Sequence, residues 1–304
     1  MADIALRPIV LAAALAVLAT AAAAQEKPAS NTKLSPNAPA KVLFGAKPEP
    51  ADMAARSIGY YNRGCLAGAK ELPPDGPTWQ AMRLSRNRNW GHPILIRVLE
   101  RLAKKAPSLG WRGLLVGDLT QPRGGPMLSG HASHQIGLDA DVWLTPMPNR
   151  VLSRREREQI SAINVVAASR IDVDPKVWTP QHHAIIKAAA TMPEVERVLV
   201  NPAIKRALCR EAKGDRSWLS TVRPYWGHNY HMHIRISCPK GDPCRSQTPP
   251  PNDDGCGKEL AWWLEKVAVP PRPPKVPPKP RPAIKLAELP DACRTVLTAP
   301  AQRN

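Results

Sequence analysis

Several features are scarce or absent in this chain, and each absence narrows what it can be. Phenylalanine occurs once and tyrosine four times in 304 residues, so a core has to come from aliphatic side chains and nine tryptophans. There is no Cys-x-x-Cys pair, which removes the usual redox centre and zinc knuckle. There is no His-Glu-x-x-His, so the commonest zinc-protease helix is missing. The serine acyl-enzyme pattern fails too: Ser30-Asn-Thr-Lys33 matches Ser-x-x-Lys, but neither Ser-Asp-Asn nor Lys-Thr-Gly accompanies it. No internal repeat is evident.

Acidic side chains are also few, 25 against 43 Lys and Arg, which gives a net charge of +18. A surplus of this size points to nucleic acid or to an anionic surface. The start of the chain decides between them. Arg7, an apolar run over residues 9–24 and the Ala22-x-Ala24 site read as a secretory signal over residues 1–24. The run is short, Ala-rich and closed by small residues, so it does not read as a membrane helix, and no transmembrane segment is expected in the mature protein. Asp3 and Arg7 cancel, so export leaves the charge at +18. An exported chain has no nucleic acid partner, and an anionic cell-wall polymer fits better.

Residues 25–54 are polar and Pro-rich without periodicity and read as a flexible lead. Residues 55–268 form one domain. Residues 269–304 are a Pro/Lys/Arg-rich tail, in which residues 269–285 set five basic residues among eight prolines. An extended polyproline spacer is expected there rather than a wall-binding arm.

Within the domain, helices and strands alternate. Pro93 opens a helix to Lys105 with Ile94, Leu95, Val98, Leu99 and Leu102 at helical spacing. Residues 114–117 read as a short buried strand. Ser153-x-x-Glu156 is a capping box for a helix expected to run to about residue 168. Thr179-Pro180 caps another helix to about residue 191. Residues 197–200 read as a strand, residues 202–209 as a short helix, and Trp262 and Trp263 as an apolar anchor before the tail. This mixture predicts an α+β fold with a central antiparallel sheet that carries a metal site and is flanked by helices.

Two stretches hold the chemistry: residues 129–144, SGHASHQIGLDADVWL, and residues 228–238, HNYHMHIRISC. They contain five of the eight histidines. Read as strands, each alternates between faces. Asp139, Asp141 and Trp143 share one face, opposite Leu138, Ala140, Val142 and Leu144. His231, His233 and Arg235 share a face opposite Met232, Ile234 and Ile236. Gly137 allows a turn that brings His134 to Asp141. A hydrolytic zinc takes three imidazole or carboxylate ligands and keeps one open position for water. His134, Asp141 and one histidine of the His-x-His pair supply that set. The two strand histidines are about 6.5 Å apart by strand rise, so one can ligate while the other serves as general base. Asp139 shares the face and suits a carboxylate that holds a ligand imidazole by its other nitrogen. A lone histidine is more often structural, and His92, His182 and His183 read that way.

At these residues the chain resembles the penicillin-insensitive murein endopeptidases, zinc peptidases grouped with lysostaphin-type enzymes, D-Ala-D-Ala metallopeptidases and the hedgehog domain. Ser129-Gly-His-Ala-Ser-His-Gln-Ile-Gly-Leu-Asp-Ala-Asp141 and His228-Asn-Tyr-His-Met-His233 carry the likeness. It extends through Gly64-Cys65, Gly91-His92-Pro93, Gly117-Asp118, Val200-Asn-Pro-Ala-Ile-Lys205 and Asp254-Gly-Cys256. The resemblance implies a periplasmic zinc endopeptidase whose partner is peptidoglycan, cutting the D-alanyl to meso-diaminopimelyl crosslink. It implies that His233 is a ligand and His231 the base. His131 is then a further ligand or stands beside one, and His228 orients substrate or stabilises the tetrahedral oxygen. A second zinc, held in some relatives by the loop before Trp178, is not expected, because residues 169–174 contain no histidine.

Six cysteines in an exported chain predict three disulfides, with 15 possible connectivities. Cys238 and Cys244 are close enough to close a small loop. The resemblance implies Cys65 with Cys293 and Cys209 with Cys256, the former tying the tail back to the domain. Two rival functions remain: a D,D-carboxypeptidase acting on stem peptides, and a non-catalytic metal-binding or wall-binding protein.

Overall fold

The computed structural model describes residues 34–251, 253–269 and 281–302. Residues 1–24, expected to be a secretory signal, and most of the expected Pro-rich spacer lie outside them. Strands in chain order are β1 (Arg56–Tyr60), β2 (Arg63–Ala67), β3 (Lys70–Glu71), β4 (Asp75–Gly76), β5 (Trp79–Ala81), β6 (Trp90–Gly91), β7 (Leu114–Val116), β8 (Asp139–Pro146), β9 (Val195–Val200), β10 (Val222–Pro224) and β11 (His231–Ile236). The helices are α1 (Ala40–Gly45), α2 (Pro93–Lys105), α3 (Arg154–Gln159), α4 (Pro180–Ala190), α5 (Pro202–Glu211), α6 (Lys258–Ala268) and α7 (Ala292–Thr298). The fold is α+β.

One sheet has the order β10-β9-β11-β8-β7-β5-β4. Its centre is antiparallel, with β11 paired to β8 and to β9, and β8 to β7. Two pairs nearer the flanks, β10 with β9 and β5 with β7, run parallel, so the sheet is mixed rather than purely antiparallel. The reason is local: α5 joins β9 to β10 and α2 lies between β5 and β7, and a helical crossover returns the chain in the same direction.

Ala140, Val142 and Leu144 of β8 and Met232, Ile234 and Ile236 of β11 are fully buried and face one core. Leu95, Ile96, Leu99 and Leu102 of α2, Ile185 and Ile186 of α4, and Ile204 and Leu208 of α5 join them there. Helix α2 starts where Pro93 at its first position and the His92 ring, accepting from the Ile94 amide at 3.2 Å, cap it. His182 is likewise structural, buried and bonded through Nε2 to the Leu144 carbonyl.

Three local expectations need correction. The capping box at Ser153 and Glu156 forms, but α3 ends at Gln159 and not near residue 168. Ile160 is extended, and Val165 is buried with its amide on the Asn229 carbonyl, so tertiary contacts override helical propensity there. The stretch over residues 25–54, expected to be a flexible lead, contains α1, whose Phe44 is fully buried against Gly125. Its partners come from the far end of the chain: Ala40 pairs with Ile284, and Asp52 with Pro300. The tail itself ends in α7, with Cys293, Val296 and Leu297 buried. Lastly, α6 is anchored by Leu260 and Val267, while Trp262 is half exposed.

The disulfides are Cys65–Cys293, Cys209–Cys256 and Cys238–Cys244. The first fixes α7 on β2. From there α7 holds the loop that precedes β8, because the buried Arg123 guanidinium donates to the carbonyls of Val296, Leu297 and Ala299 at 2.7 to 3.1 Å. That loop lies on the polar side of β8 and β11.

Candidate metal centre

Register sets the site. His231 lies opposite Trp143, His233 opposite Asp141 and Arg235 opposite Asp139. The loop over residues 129–138 then folds back over this face through Gly130 and Gly137, both at positive φ. His134 itself has φ +65°, a conformation uncommon outside glycine, and its amide is held by Asp139 Oδ2 at 2.9 Å.

The buried Asp141 carboxylate is the hub. Its Oδ1 is 3.3 Å from His233 Nδ1, 3.5 Å from His134 Nε2 and 3.6 Å from His231 Nε2, and its Oδ2 is 3.6 Å from His131 Nδ1. His134 Nε2 and His233 Nδ1 are 3.2 Å apart. Ligand atoms at the corners of a tetrahedron about 2.1 Å from zinc are about 3.4 Å apart. The His134, His233 and Asp141 triangle has that edge length. The donor atoms of His131, His134 and Asp141 also lie within 4.8 Å of one another. Asp141 Oδ1 is buried without a hydrogen-bond partner, although a polar atom in that position normally has one. These donors fit a divalent metal.

Each of three imidazoles is held at the nitrogen that points away. His233 Nε2 meets Asp139 Oδ1 at 2.9 Å, His134 Nδ1 donates to the Leu119 carbonyl at 2.7 Å, and His131 Nε2 meets Asp118 Oδ2 at 3.0 Å. Such outer partners fix tautomer and ring orientation at metal sites. Nothing local in the sequence links Asp118, which follows Gly117, to His131, and only the fold brings the two together.

Asp139 is fully buried. Burial alone would raise its carboxyl, but the Arg235 guanidinium at 2.7 Å and His233 hold it far below the usual carboxylate range. Burial likewise raises Asp118, yet the hydrogen bond from His131, the charge of Arg86 and the hydrogen bond from Arg88 bring it down to about 2. Asp141 is held well below the usual range by His134 and His231 in spite of its burial.

His231 and His228 differ from the other three. His231 Nδ1 has no acceptor among the described residues. Burial lowers both rings, His228 to about 3 with further lowering by His231 and His233, so both are neutral at neutral pH. His228 has φ +52°, and its Nδ1 donates to the Trp226 carbonyl at 2.7 Å. The two rings are 4.8 Å apart.

Two clefts meet at the centre, and His131 lines both. One, of about 320 Å³, is lined by Arg83, Arg86, Asp118, Asp141, Tyr230 and His231 among others. The other, of about 390 Å³, includes Tyr61, Tyr225, His228, His233 and Arg235. His183 lies elsewhere, 3.4 Å from Glu211, and Asp172 pairs with Arg210 at 2.8 Å.

A sequence profile described as penicillin-insensitive murein endopeptidase matches residues 57–298. Similar proteins named penicillin-insensitive murein endopeptidase come from several bacteria. That of Haemophilus influenzae is 43% identical over 265 residues, covering 83% of this chain and 86% of the relative. That of Klebsiella pneumoniae is 41% identical over 251 residues, covering 82% and 88%. That of Yersinia enterocolitica is 41% identical over 249 residues, covering 82% and 87%. With the match spanning most of the chain, this protein belongs to the penicillin-insensitive murein endopeptidase family.

Proposed function

We propose that this chain is a zinc-dependent D,D-endopeptidase that hydrolyses the D-alanyl to meso-diaminopimelyl crosslinks of peptidoglycan in the periplasm, exported by residues 1–24. Family membership supports the substrate. The observation that carries the chemistry is the asymmetry among the histidines: three rings are locked by an acceptor behind them and turned toward Asp141, while His231 faces the same carboxylate without such a lock.

In this reading His134, Asp141 and His233 would hold one Zn²⁺ and leave a position open, with His131 as a further donor beside them and Asp139 and Asp118 setting the rings of His233 and His131. When bound, the metal supplies Lewis acidity toward the scissile carbonyl and acidifies a water to a pKa of about 7. His231, neutral and unlocked, takes a proton at Nε2 and returns it to the leaving amine. The Trp226 carbonyl keeps the His228 proton on Nδ1, which leaves Nε2 as an acceptor. His228 therefore positions a substrate N–H rather than stabilising the tetrahedral oxygen. Arg86, half exposed in the 320 Å³ cleft, offers positive charge to the carboxylates of the stem peptide.

The test is elemental analysis of the purified protein followed by incubation with crosslinked muropeptide dimers. About one zinc per chain is expected, with dimers converted to monomers, cleavage stopped by chelators and unaffected by penicillin. Release of free D-alanine from monomeric stem peptides with dimers untouched would instead identify a D,D-carboxypeptidase. Bound zinc without any cleavage would instead favour a non-catalytic metal-binding or wall-binding protein.

A further inference from the structure

The site leaves one feature unused. In a chain where aromatic residues make up 5% of the sequence, four of them gather on one exposed ridge beside the catalytic cleft, and a fifth, Tyr230, stands 4.7 Å from His231. Tyr225, Trp226 and Trp262 are each about half exposed, Tyr230 is 43% exposed, and Trp263 is partly buried among them. The rings form a connected series. Trp262 is 5.1 Å from Trp263, Trp263 is 5.0 Å from Trp226 and 6.1 Å from Tyr225, and Tyr225 is 5.7 Å from His228. His228 leads to His231 at 4.8 Å, so aromatic faces run from the outer surface of α6 to the proposed base. Large exposed apolar groups packed together on a protein surface mark a place where something binds.

Beside the ridge lies a cavity of about 550 Å³, with Trp226 and Gly227 on one wall. Asn164, Asn229 and Arg170 line it with Val166 and Val267, and Asn201, bonded through both amide atoms to Gly227 and Ala203, closes its floor, so amide and guanidinium groups lie beside the indole. Tyr225 and His228 belong to the 390 Å³ cleft as well, which makes the ridge continuous with the site of hydrolysis.

We propose that this ridge is a glycan-binding site that takes the sugar backbone of peptidoglycan, a β-linked chain of N-acetylated amino sugars. The inference rests on the murein reading above. A pyranose ring carries its hydroxyls around the edge and presents C–H bonds on its faces. Those faces stack on the electron-rich faces of indole and phenol rings, while acetamido and hydroxyl groups need amide partners at the rim. The indole ridge and the asparagine-lined cavity offer those two kinds of contact side by side. A stem peptide of four residues reaches at most about 14 Å from its sugar. An enzyme that cuts near the end of that stem works within reach of the glycan strand, and a ridge continuous with its cleft can hold the strand while the crosslink lies over the metal centre.

The experiment uses the full mature chain and two variants, Trp262→Ala and Trp263→Ala, whose side chains lie on α6, outside the proposed catalytic machinery. Binding of peptide-free glycan oligosaccharides is followed by tryptophan fluorescence and calorimetry. Cleavage is measured on intact sacculi and on sugar-free crosslinked peptide dimers. The unaltered protein should bind the oligosaccharides, and each variant should bind them about 3- to 10-fold more weakly. Each variant should raise KM on sacculi by a similar factor and leave kcat and sugar-free dimer cleavage unchanged.

No oligosaccharide binding by the unaltered protein would overturn the proposal. So would equal losses on sacculi and sugar-free dimers, which would mean that the ridge shapes the catalytic cleft. Binding that appears only after deletion of residues 270–280 would assign the ridge to that Pro-rich segment. Fluorescence changes with phosphatidylglycerol vesicles but not with glycan would assign it to a membrane surface. If the oligosaccharides bind but no substrate is cleaved, the glycan site stands and the endopeptidase reading falls.

Discussion

Replacing Asp139 by Asn tests how the centre is held, because it removes a charge and changes shape hardly at all. Asp139 is fully buried, and its two oxygens accept from His233 Nε2 at 2.9 Å, from Arg235 Nε at 2.7 Å and from the His134 amide at 2.9 Å. Asparagine keeps one acceptor oxygen and turns the other into a donor. If the oxygen stays toward His233 and Arg235, the new NH₂ faces the His134 N–H. If the group flips, it faces Arg235 and His233. Either way a buried donor meets a donor, and Arg235 loses the carboxylate that neutralises it while it stacks on Tyr61. Breaking a buried charge pair from one side costs roughly 3–5 kcal/mol of stability. Loss of a carboxylate behind a ligand imidazole weakens metal binding about 10- to 100-fold. Chemical denaturation of the metal-free protein reads the first effect, and zinc competition against a chelator reads the second. A variant with unchanged zinc affinity and unchanged stability would refute the reasoning for both.

Two further predictions concern the frame. Lys205 is fully buried with its ammonium on the carbonyls of Leu219 and Asp254, and burial pushes it down to about 7. The unfolded chain keeps that proton to about pH 10.4. Between those values it binds more protons than the folded chain, so this residue makes stability rise with pH from about 7 to about 10. Lys205→Met should flatten that rise in denaturation curves, and an unaltered rise would contradict the assignment. The Cys65–Cys293 bridge joins residues 228 positions apart, so replacing both with Ser should lower stability by about 2–5 kcal/mol. A loss below about 1 kcal/mol in urea denaturation would show that α7 is held without it.

What the sequence revealed follows from which interactions are local. Alternation along a strand is a local property, so the shared face of Asp139, Asp141, His231 and His233 could be read directly, and the antiparallel register then placed His233 opposite Asp141. Helix starts at Pro93, Ser153 and Pro180 carry their own caps and were legible for the same reason. The premature end of α3 was not, because it depends on Val165 reaching a carbonyl near His228 in a distant loop. Phe44 is buried by segments near the other end of the chain, so a Pro-rich composition gave the wrong impression of residues 34–54. The role of Asp118 was hidden similarly: a single carboxylate after a glycine has no periodic or motif signature, and only the fold brings it to His131. His134 at positive φ shows the same limit, since residue type favours that conformation only for glycine and, weakly, for asparagine, aspartate and histidine.

The division of labour between neighbouring strand histidines is the point on which the mechanism turns, and zinc content measured together with crosslink cleavage on His231→Ala and His233→Ala tests it directly. His231→Ala should keep its zinc and lose about 10²- to 10⁴-fold in turnover of muropeptide dimers, whereas His233→Ala should lose both. Zinc lost with His231→Ala and retained with His233→Ala would reverse the roles, and full activity in both variants would remove β11 from the site.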